Sequence, residues 1–158
     1  MKQLNAILNT LARLLEPFID YINSWITIVV SLNASPVFKE DNKGEWHSED
    51  GSAVVMVINN GREPLKVEEV GVILRNGQKL DSPFILDDTE KLPRIINGKD
   101  HAAFRIKRDV LLQMGWAGLE SIKHVYLTDA TFREYKSRVP KRNKTLIAAS
   151  LQNRIMIK

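Results

Sequence analysis

Three Asn-Gly pairs divide the middle of this sequence into short apolar runs, and they constrain the fold more than any other feature. The pairs are Asn60-Gly61, Asn76-Gly77 and Asn97-Gly98. Asn and Gly readily adopt the positive φ angles of tight hairpin turns, so an Asn-Gly pair between two strand-like runs is a strong hairpin signal. The middle of the chain is therefore predicted to be a mainly β domain.

The runs between these turns predict six or seven short strands. The clearest lie at 52–59, 70–75, 78–85, 101–107, 122–128 and 132–139, with a helical turn capped by Asp109 at 109–114. The run 52–59 is apolar on both faces, and a type I′ turn is predicted at Asn76-Gly77. Ala102, Phe104 and Ile106 share one face of their strand. Strands of this number and spacing indicate an immunoglobulin-like Greek-key sandwich over residues 33–140.

The first 25 residues carry an unbroken heptad of apolar side chains. One position holds Met1, Leu8, Leu15 and Ile22, and the other holds Leu4, Leu11, Phe18 and Trp25. This spacing predicts an amphipathic helix over residues 1–32, with a kink near Pro17 because proline removes a backbone hydrogen bond. Residues 25–32 are rich in β-branched side chains and fit either a strand or a continued helix, with the helix slightly favoured.

The heptad predicts self-association, because monomers rarely leave a large apolar stripe exposed. We expect a homo-oligomer, with the contact formed by Leu4, Leu8, Leu11, Leu15, Phe18, Ile22 and Trp25. The alternative is that the helix packs on the core of its own domain. A membrane span is disfavoured because Glu16, Pro17 and Asp20 interrupt the apolar run.

The last 18 residues, 141–158, form a basic C-terminal segment. Residues 133–158 contain eight of the 23 Lys and Arg side chains but only one acid, Glu134. Lys141, Arg142 and Lys144 are the candidate anion-binding residues, since clustered cations contact phosphates on nucleic acid or anionic lipid. The alternative is a solvated basic edge. The segment after Pro140 is predicted to form a helix or a strand that packs on the domain.

Known catalytic and metal-binding patterns are missing from the sequence. The chain has no Cys, which excludes disulfides and thiolate metal sites. Near His47, Lys43 and Gly44 break the spacing of a calcium loop. The acids Asp87, Asp88 and Glu90 are predicted to be a solvated loop. We therefore expect a protein that is not an enzyme and needs neither cofactor nor metal.

Four segments carry a resemblance to a known class of protein. In chain order they are WITIVVSL, SAVVMVINNG, VEEVGVILRNG and IKHVYLTD, and they span about residues 25–139. They resemble segments of small bacterial or prophage proteins of unassigned function, in which an N-terminal hydrophobic helix, often membrane-spanning, precedes an immunoglobulin-like sandwich. The resemblance implies a fold and no activity, because function does not follow from fold.

The sequence favours an interaction protein over an enzyme. The leading hypothesis is a module that self-associates through its N-terminal helix and presents the sandwich to a protein partner. Peripheral attachment to a membrane surface through the helix and the basic segment is the second hypothesis. Nucleic-acid binding by the basic segment is the third and least favoured. Without a secretory signal, we expect a cytoplasmic protein, with a membrane surface as a further location.

Overall fold

The protein is mainly β. The computed structural model describes residues 28–40, 42–44 and 46–152. Eight strands form there: β1 Ile28–Glu40, β2 Trp46–Asn59, β3 Leu65–Leu74, β4 Lys79–Leu80, β5 Arg94–Ile96, β6 Asp100–Arg105, β7 Ile122–Asp129 and β8 Glu134–Arg138. Three helices accompany them: α1 Ser82–Ile85, α2 Arg108–Ser121 and α3 Lys141–Leu151. The predicted N-terminal helix falls, up to residue 27, outside the described residues.

The strands form two antiparallel sheets. The first has the order β1-β2-β6, and the second has the order β4-β3-β7-β8, with β5 also paired to β3. Val67 of β3 is in register with Asp129 of β7 on one side and with Arg94 of β5 on the other. β3 therefore lies in the interior of its sheet, with β4 and β5 sharing one of its edges.

One apolar core joins both sheets and all three helices. On β2, the alternate residues Ala53, Val55 and Val57 are fully buried, whereas Val54 and Met56 are only partly covered. The predicted shared face of Ala102, Phe104 and Ile106 is confirmed, since all three are buried. The helices add buried residues to the same core: Ile85, Leu111, Leu119 and Ile147.

The prediction of a continued helix over residues 25–32 is wrong from Ile28 onward, where β1 begins. Val30 and Leu32 pair in register with Val57 and Val55 of β2 and are almost completely buried. β-branched side chains pack well on a pleated surface, and here β2 supplies both the hydrogen bonds and the apolar face. The β domain therefore begins by Ile28, before the predicted boundary at residue 33.

The strand predicted at 78–85 is also largely wrong. Only Lys79 and Leu80 pair with β3, and α1 follows with Pro83 in its first turn. Proline has no backbone N–H for a sheet but fits the first turn of a helix.

The turn before β4 is not of type I′. That type needs a positive φ at both central residues, but in the Asn76-Gly77 pair only Gly77 has one, at φ +87°. Its N–H donates to the Leu74 carbonyl at 3.0 Å, as in a three-residue hairpin loop.

Helix α2 is longer than the turn predicted at 109–114. It extends from Arg108 to Ser121 and is kinked at Gly115, whose φ is 59°. Lys107 occupies the N-cap position and Asp109 lies within the first turn, so the predicted cap is wrong.

The predicted hairpin of 122–128 and 132–139 is confirmed as β7 and β8. The segment after Pro140, which was predicted to form either a helix or a strand, forms the helix α3.

Candidate anion-binding site

The three predicted anion-binding residues lie in the first turn of α3, but only two of them are exposed. The Lys141 and Arg142 side chains are exposed, whereas Lys144 is only 5% exposed. The alternative of a solvated basic edge is therefore wrong for Lys144. α3 packs along β1 and β2 and also contacts α2.

Lys144 lines an open cleft of about 560 Å³ at the place where three chain segments meet. Arg75 comes from the end of β3, Lys123 from the start of β7, and Arg138 from the end of β8. The complete lining is Arg75, Ile122, Lys123, Arg138, Val139, Pro140, Lys141 and Lys144. Five of these eight side chains are basic and none is acidic. We call this site the basic cleft.

Main-chain hydrogen bonds fix the walls of the basic cleft. The Arg75 N–H donates to the Ser121 carbonyl at 2.8 Å, which ties the end of β3 to the end of α2. The Val139 N–H donates to the Lys123 carbonyl at 3.1 Å, which extends the β7–β8 pairing to the mouth of the cleft. The cleft is therefore formed by regular structure rather than by a long loop.

Among the described residues, no carboxylate accepts a hydrogen bond from the buried Lys144 ammonium group. Its Nζ donates to the main-chain carbonyl of Glu120 at 3.0 Å. Burial lowers the pKa of Lys144. The positive charges of Arg75 and Arg138 lower this pKa further, whereas the Glu120 carboxylate raises it. A buried cation beside two other cations is unfavourable unless an anion approaches.

The other cations of the cleft have no counter-ions among the described residues. Within 28–40, 42–44 and 46–152, no carboxylate forms an ion pair with Arg75, Lys123, Arg138 or Lys141. His124 lies opposite Arg138 in the β7–β8 register. Its pKa is lowered by burial and then by Lys123, Lys136 and Arg138.

The N-terminus of α3 adds a positive partial charge to the cleft. Pro140 is its N-cap residue, no side chain caps the first turn, and no acid lies there. The first N–H groups of a helix lack partners within the helix, and the helix dipole favours an anion beside them. The buried Lys144 and the start of α3 therefore favour negative charge at the same place.

Sequence reasoning identified part of this site and missed the rest. It singled out Lys141 and Lys144, which line the cleft, and Arg142, which does not. It missed Arg75, Lys123 and Arg138 as site residues. The predicted β7–β8 hairpin already placed Lys123 close to Arg138, so this pair could have been found. Arg75 could not have been identified from the sequence, because it reaches the cleft through a contact between α2 and the end of β3.

In the acidic loop, Asp87, Asp88 and Glu90 each contact a different residue. Asp88 pairs with Lys107 at 2.7 Å, and Glu90 accepts a hydrogen bond from the Arg105 N–H at 2.9 Å. Asp87 accepts hydrogen bonds from Thr89, which lower its pKa. In the described part of the chain, no three His, Asp or Glu side chains are arranged to hold a metal ion.

None of the helices that the structure describes has the length and apolar character to cross a membrane.

Comparison with known proteins assigns no family to the chain. No protein-family model matches the sequence, and no curated protein matches it significantly. One solved structure is described as the X-ray structure of Northeast Structural Genomics Consortium target SoR45. The alignment covers 72% of this chain and 83% of that chain, with 9% sequence identity and a TM-score of 0.33. A similarity of this size supports no assignment of fold or function.

Proposed function

We propose that the protein is a non-enzymatic binding module, an immunoglobulin-like Greek-key sandwich whose basic cleft receives a small phosphate-bearing ligand. The strand orders β1-β2-β6 and β4-β3-β7-β8 support the sandwich. In immunoglobulin-like domains the first, second, fourth and fifth strands share one sheet, and the third, sixth and seventh share the other. Here β1, β2 and β6 correspond to the first, second and fifth strands, and β3, β7 and β8 correspond to the third, sixth and seventh. β4 and β5 are additional short edge strands of the second sheet.

The observation that carries the ligand proposal is the burial of Lys144 beside Arg75 and Arg138. Taking a cation out of water is unfavourable unless it is paired, and removing a charge partner leaves a large penalty. An anion in the cleft would supply the missing pair. It would also accept hydrogen bonds from the guanidinium groups, whose fork geometry suits phosphate oxygens.

The lining of the cleft favours a small phosphate compound over a nucleic-acid strand. Proteins that bind single strands stack successive bases on aromatic side chains. The eight lining residues of the basic cleft include no aromatic side chain. A phosphate group at the α3 N-terminus, held by the surrounding cations, needs no such platform.

Calorimetric titration of the full chain with pyrophosphate tests this proposal, with a 5′-phosphorylated oligonucleotide as a second probe. We expect pyrophosphate to bind, and its affinity to fall as salt is raised. A double variant, Lys123→Gln with Arg138→Gln, should weaken binding at least tenfold. These side chains are exposed, so the variant should still fold.

Lys91→Gln is the matched control, because Lys91 is an exposed lysine that does not line the cleft. It should bind pyrophosphate as the wild type does. Failure of the wild type to bind pyrophosphate would show that the proposal is wrong. Binding of the oligonucleotide alone would also contradict it, and would favour the nucleic-acid hypothesis.

The predicted self-association involves residues outside the described part of the chain, and it stays a prediction. The same holds for the protein partner and for membrane attachment through the N-terminal segment.

A further inference from the structure

Lys144 differs from the other lysines of the basic cleft because it lines the cleft and is buried as well. Lys123 and Lys141 are exposed, whereas Lys144 is almost completely covered. Two apolar lining residues, Ile122 and Val139, are also buried. The cleft therefore places one lysine amine out of water while leaving it on a surface that a ligand can reach.

The surroundings of Lys144 favour the neutral amine over the ammonium ion. Burial lowers its pKa, and the positive charges of Arg75 and Arg138 lower it further. Its one described hydrogen bond, from Nζ to the Glu120 carbonyl at 3.0 Å, does not require a charge. A neutral amine can donate this bond and still hold a free lone pair, so the contact is compatible with a nucleophile.

A lysine in such surroundings differs in reactivity from a lysine on the surface. An ordinary exposed lysine has a pKa of about 10.4, so less than about one part in a thousand of it is neutral at about pH 7. Each fall of one unit in pKa raises that fraction about tenfold. Burial and a neighbouring cation are the two means by which proteins activate lysine for attack on carbonyl groups.

We propose that Lys144 forms a reversible imine with small phosphate compounds that also carry an aldehyde or ketone group. This inference rests on the proposed function, because Arg75, Lys123 and Arg138 first have to hold the phosphate. All four side chains line the same cleft of about 560 Å³, so a short compound can contact the cations and Lys144 together. A phosphate held there keeps the carbonyl group close to the amine, which makes the attack effectively unimolecular.

The reaction needs only the amine and the carbonyl compound. The lone pair of the Lys144 nitrogen forms a bond to the carbonyl carbon, and the electron pair of the C=O bond moves to oxygen. One amine proton passes to that oxygen, which gives a carbinolamine. The hydroxyl group then leaves with the second amine proton as water, and a C=N bond remains. Hydrolysis reverses both steps, so the imine holds the ligand without converting it.

Reductive trapping of the full chain tests the inference, with limiting glycolaldehyde phosphate and sodium cyanoborohydride at neutral pH. Cyanoborohydride reduces an imine to a stable secondary amine, which peptide mapping by mass spectrometry locates. We expect labelling of Lys144 at least tenfold above that of any other lysine. Glycolaldehyde, which lacks the phosphate, should label Lys144 at least tenfold less, and excess pyrophosphate should suppress the labelling.

Lys144→Arg is the matched variant, because it keeps the positive charge but has no amine that can form an imine. It should bind pyrophosphate and lose the adduct. Lys91→Met is the control, since Lys91 is exposed and does not line the cleft, and it should be labelled at Lys144 as the wild type is. Circular dichroism checks that both variants fold, and the site of labelling in the wild type does not depend on either.

Pyrophosphate binding by the wild type without an adduct on Lys144 would overturn this inference and leave the phosphate proposal intact. Equal labelling of Lys144 and the exposed lysines would also overturn it. The same holds if glycolaldehyde labels Lys144 as well as its phosphate does, since capture of the phosphate would then play no part. If the wild type neither binds pyrophosphate nor forms the adduct, both the inference and the phosphate proposal are wrong.

Discussion

The Asn143 side chain donates a hydrogen bond of 2.7 Å to the main-chain carbonyl of Leu32, 111 residues earlier in the chain. This bond ties the first turn of α3 to the outer edge of β1. Ser137 Oγ donates in the same way to the Val30 carbonyl. Two carbonyls of an edge strand are thus occupied by side chains, which protects β1 against pairing with another chain.

Replacing Asn143 by Ala should destabilise the domain by about 1 kcal/mol, because the Leu32 carbonyl loses its partner in a partly buried position. It should also weaken pyrophosphate binding, since this bond fixes the start of α3 beside the cleft. Urea denaturation and calorimetry measure the two effects. Asn97→Ala, in an exposed turn, is the control and should change neither.

Gly71→Ala should be among the most damaging single substitutions. A Cβ at this position would lie 2.4 Å from the Leu80 carbonyl oxygen and 2.7 Å from Cε1 of Tyr126. Tyr126 is fully buried and donates its hydroxyl hydrogen to Glu69, so it cannot move away easily. Overpacking of this kind typically costs about 1–3 kcal/mol.

Gly77→Asn is the comparison for Gly71→Ala. A Cβ at Gly77 meets open space, and Asn tolerates the positive φ of this position. The loss of stability should be below about 1 kcal/mol. Thermal denaturation of both variants checks the order. A larger loss for Gly77→Asn than for Gly71→Ala would contradict the packing argument.

Asp129 should make the stability of the domain depend on acid pH. Burial would raise the pKa of its carboxyl, but the hydrogen bonds from Thr131, Arg133 and Tyr135 together lower it below the ordinary value of 3.8. A carboxyl group whose pKa is lowered on folding stabilises the folded state at pH values above its ordinary pKa. That contribution is lost as the pH falls from 3.8 through the folded-state value.

Asp129→Asn should therefore cost about 1–3 kcal/mol at about pH 7 and much less at about pH 2. Urea denaturation at the two pH values measures the difference. Asp87→Asn is a matched control, since Asp87 forms a similar pair of bonds to Thr89 on the surface. It should have a smaller effect at neutral pH. An Asp129→Asn penalty independent of pH would contradict the linkage.

Lys144→Met should remove the stabilisation that pyrophosphate gives to the wild type. A ligand at 100 times its Kd stabilises the folded state by about 2.7 kcal/mol. For a domain of this size that corresponds to a rise in Tm of roughly 5–10 °C. The variant should show little or no rise, because the buried cation is lost. A full rise in the variant would show that pyrophosphate binds elsewhere.

Leu11→Glu should dissociate the predicted oligomer, because it places a carboxylate without a partner in the apolar seam, a penalty of several kcal/mol. Light scattering should show a lower molar mass, with the far-ultraviolet circular dichroism of the β domain retained. Arg13→Glu changes charge away from the seam and should leave the mass unchanged. Loss of the β signal in Leu11→Glu would instead place the seam in the core of its own domain.

The sequence by itself determined the features that depend on neighbours along the chain. The alternation of Ala102, Phe104 and Ile106 fixed the buried face of β6 and of the residue that follows it, because a strand turns successive side chains to opposite sides. The short Asp129-Ala130 connection fixed the β7–β8 hairpin. The absence of cysteine excluded one whole class of chemistry.

The tertiary structure decided the features that depend on distant partners. Residues 28–32 became a strand because β2 offers them a paired edge and an apolar face, which local propensity cannot reveal. Lys144 became buried where α3 meets the end of α2, with its Nζ on the Glu120 carbonyl. Arg75 joined the basic cleft through its bond to Ser121. A basic run in a sequence specifies charge, but only the packing of separate elements places one cation out of water beside two others.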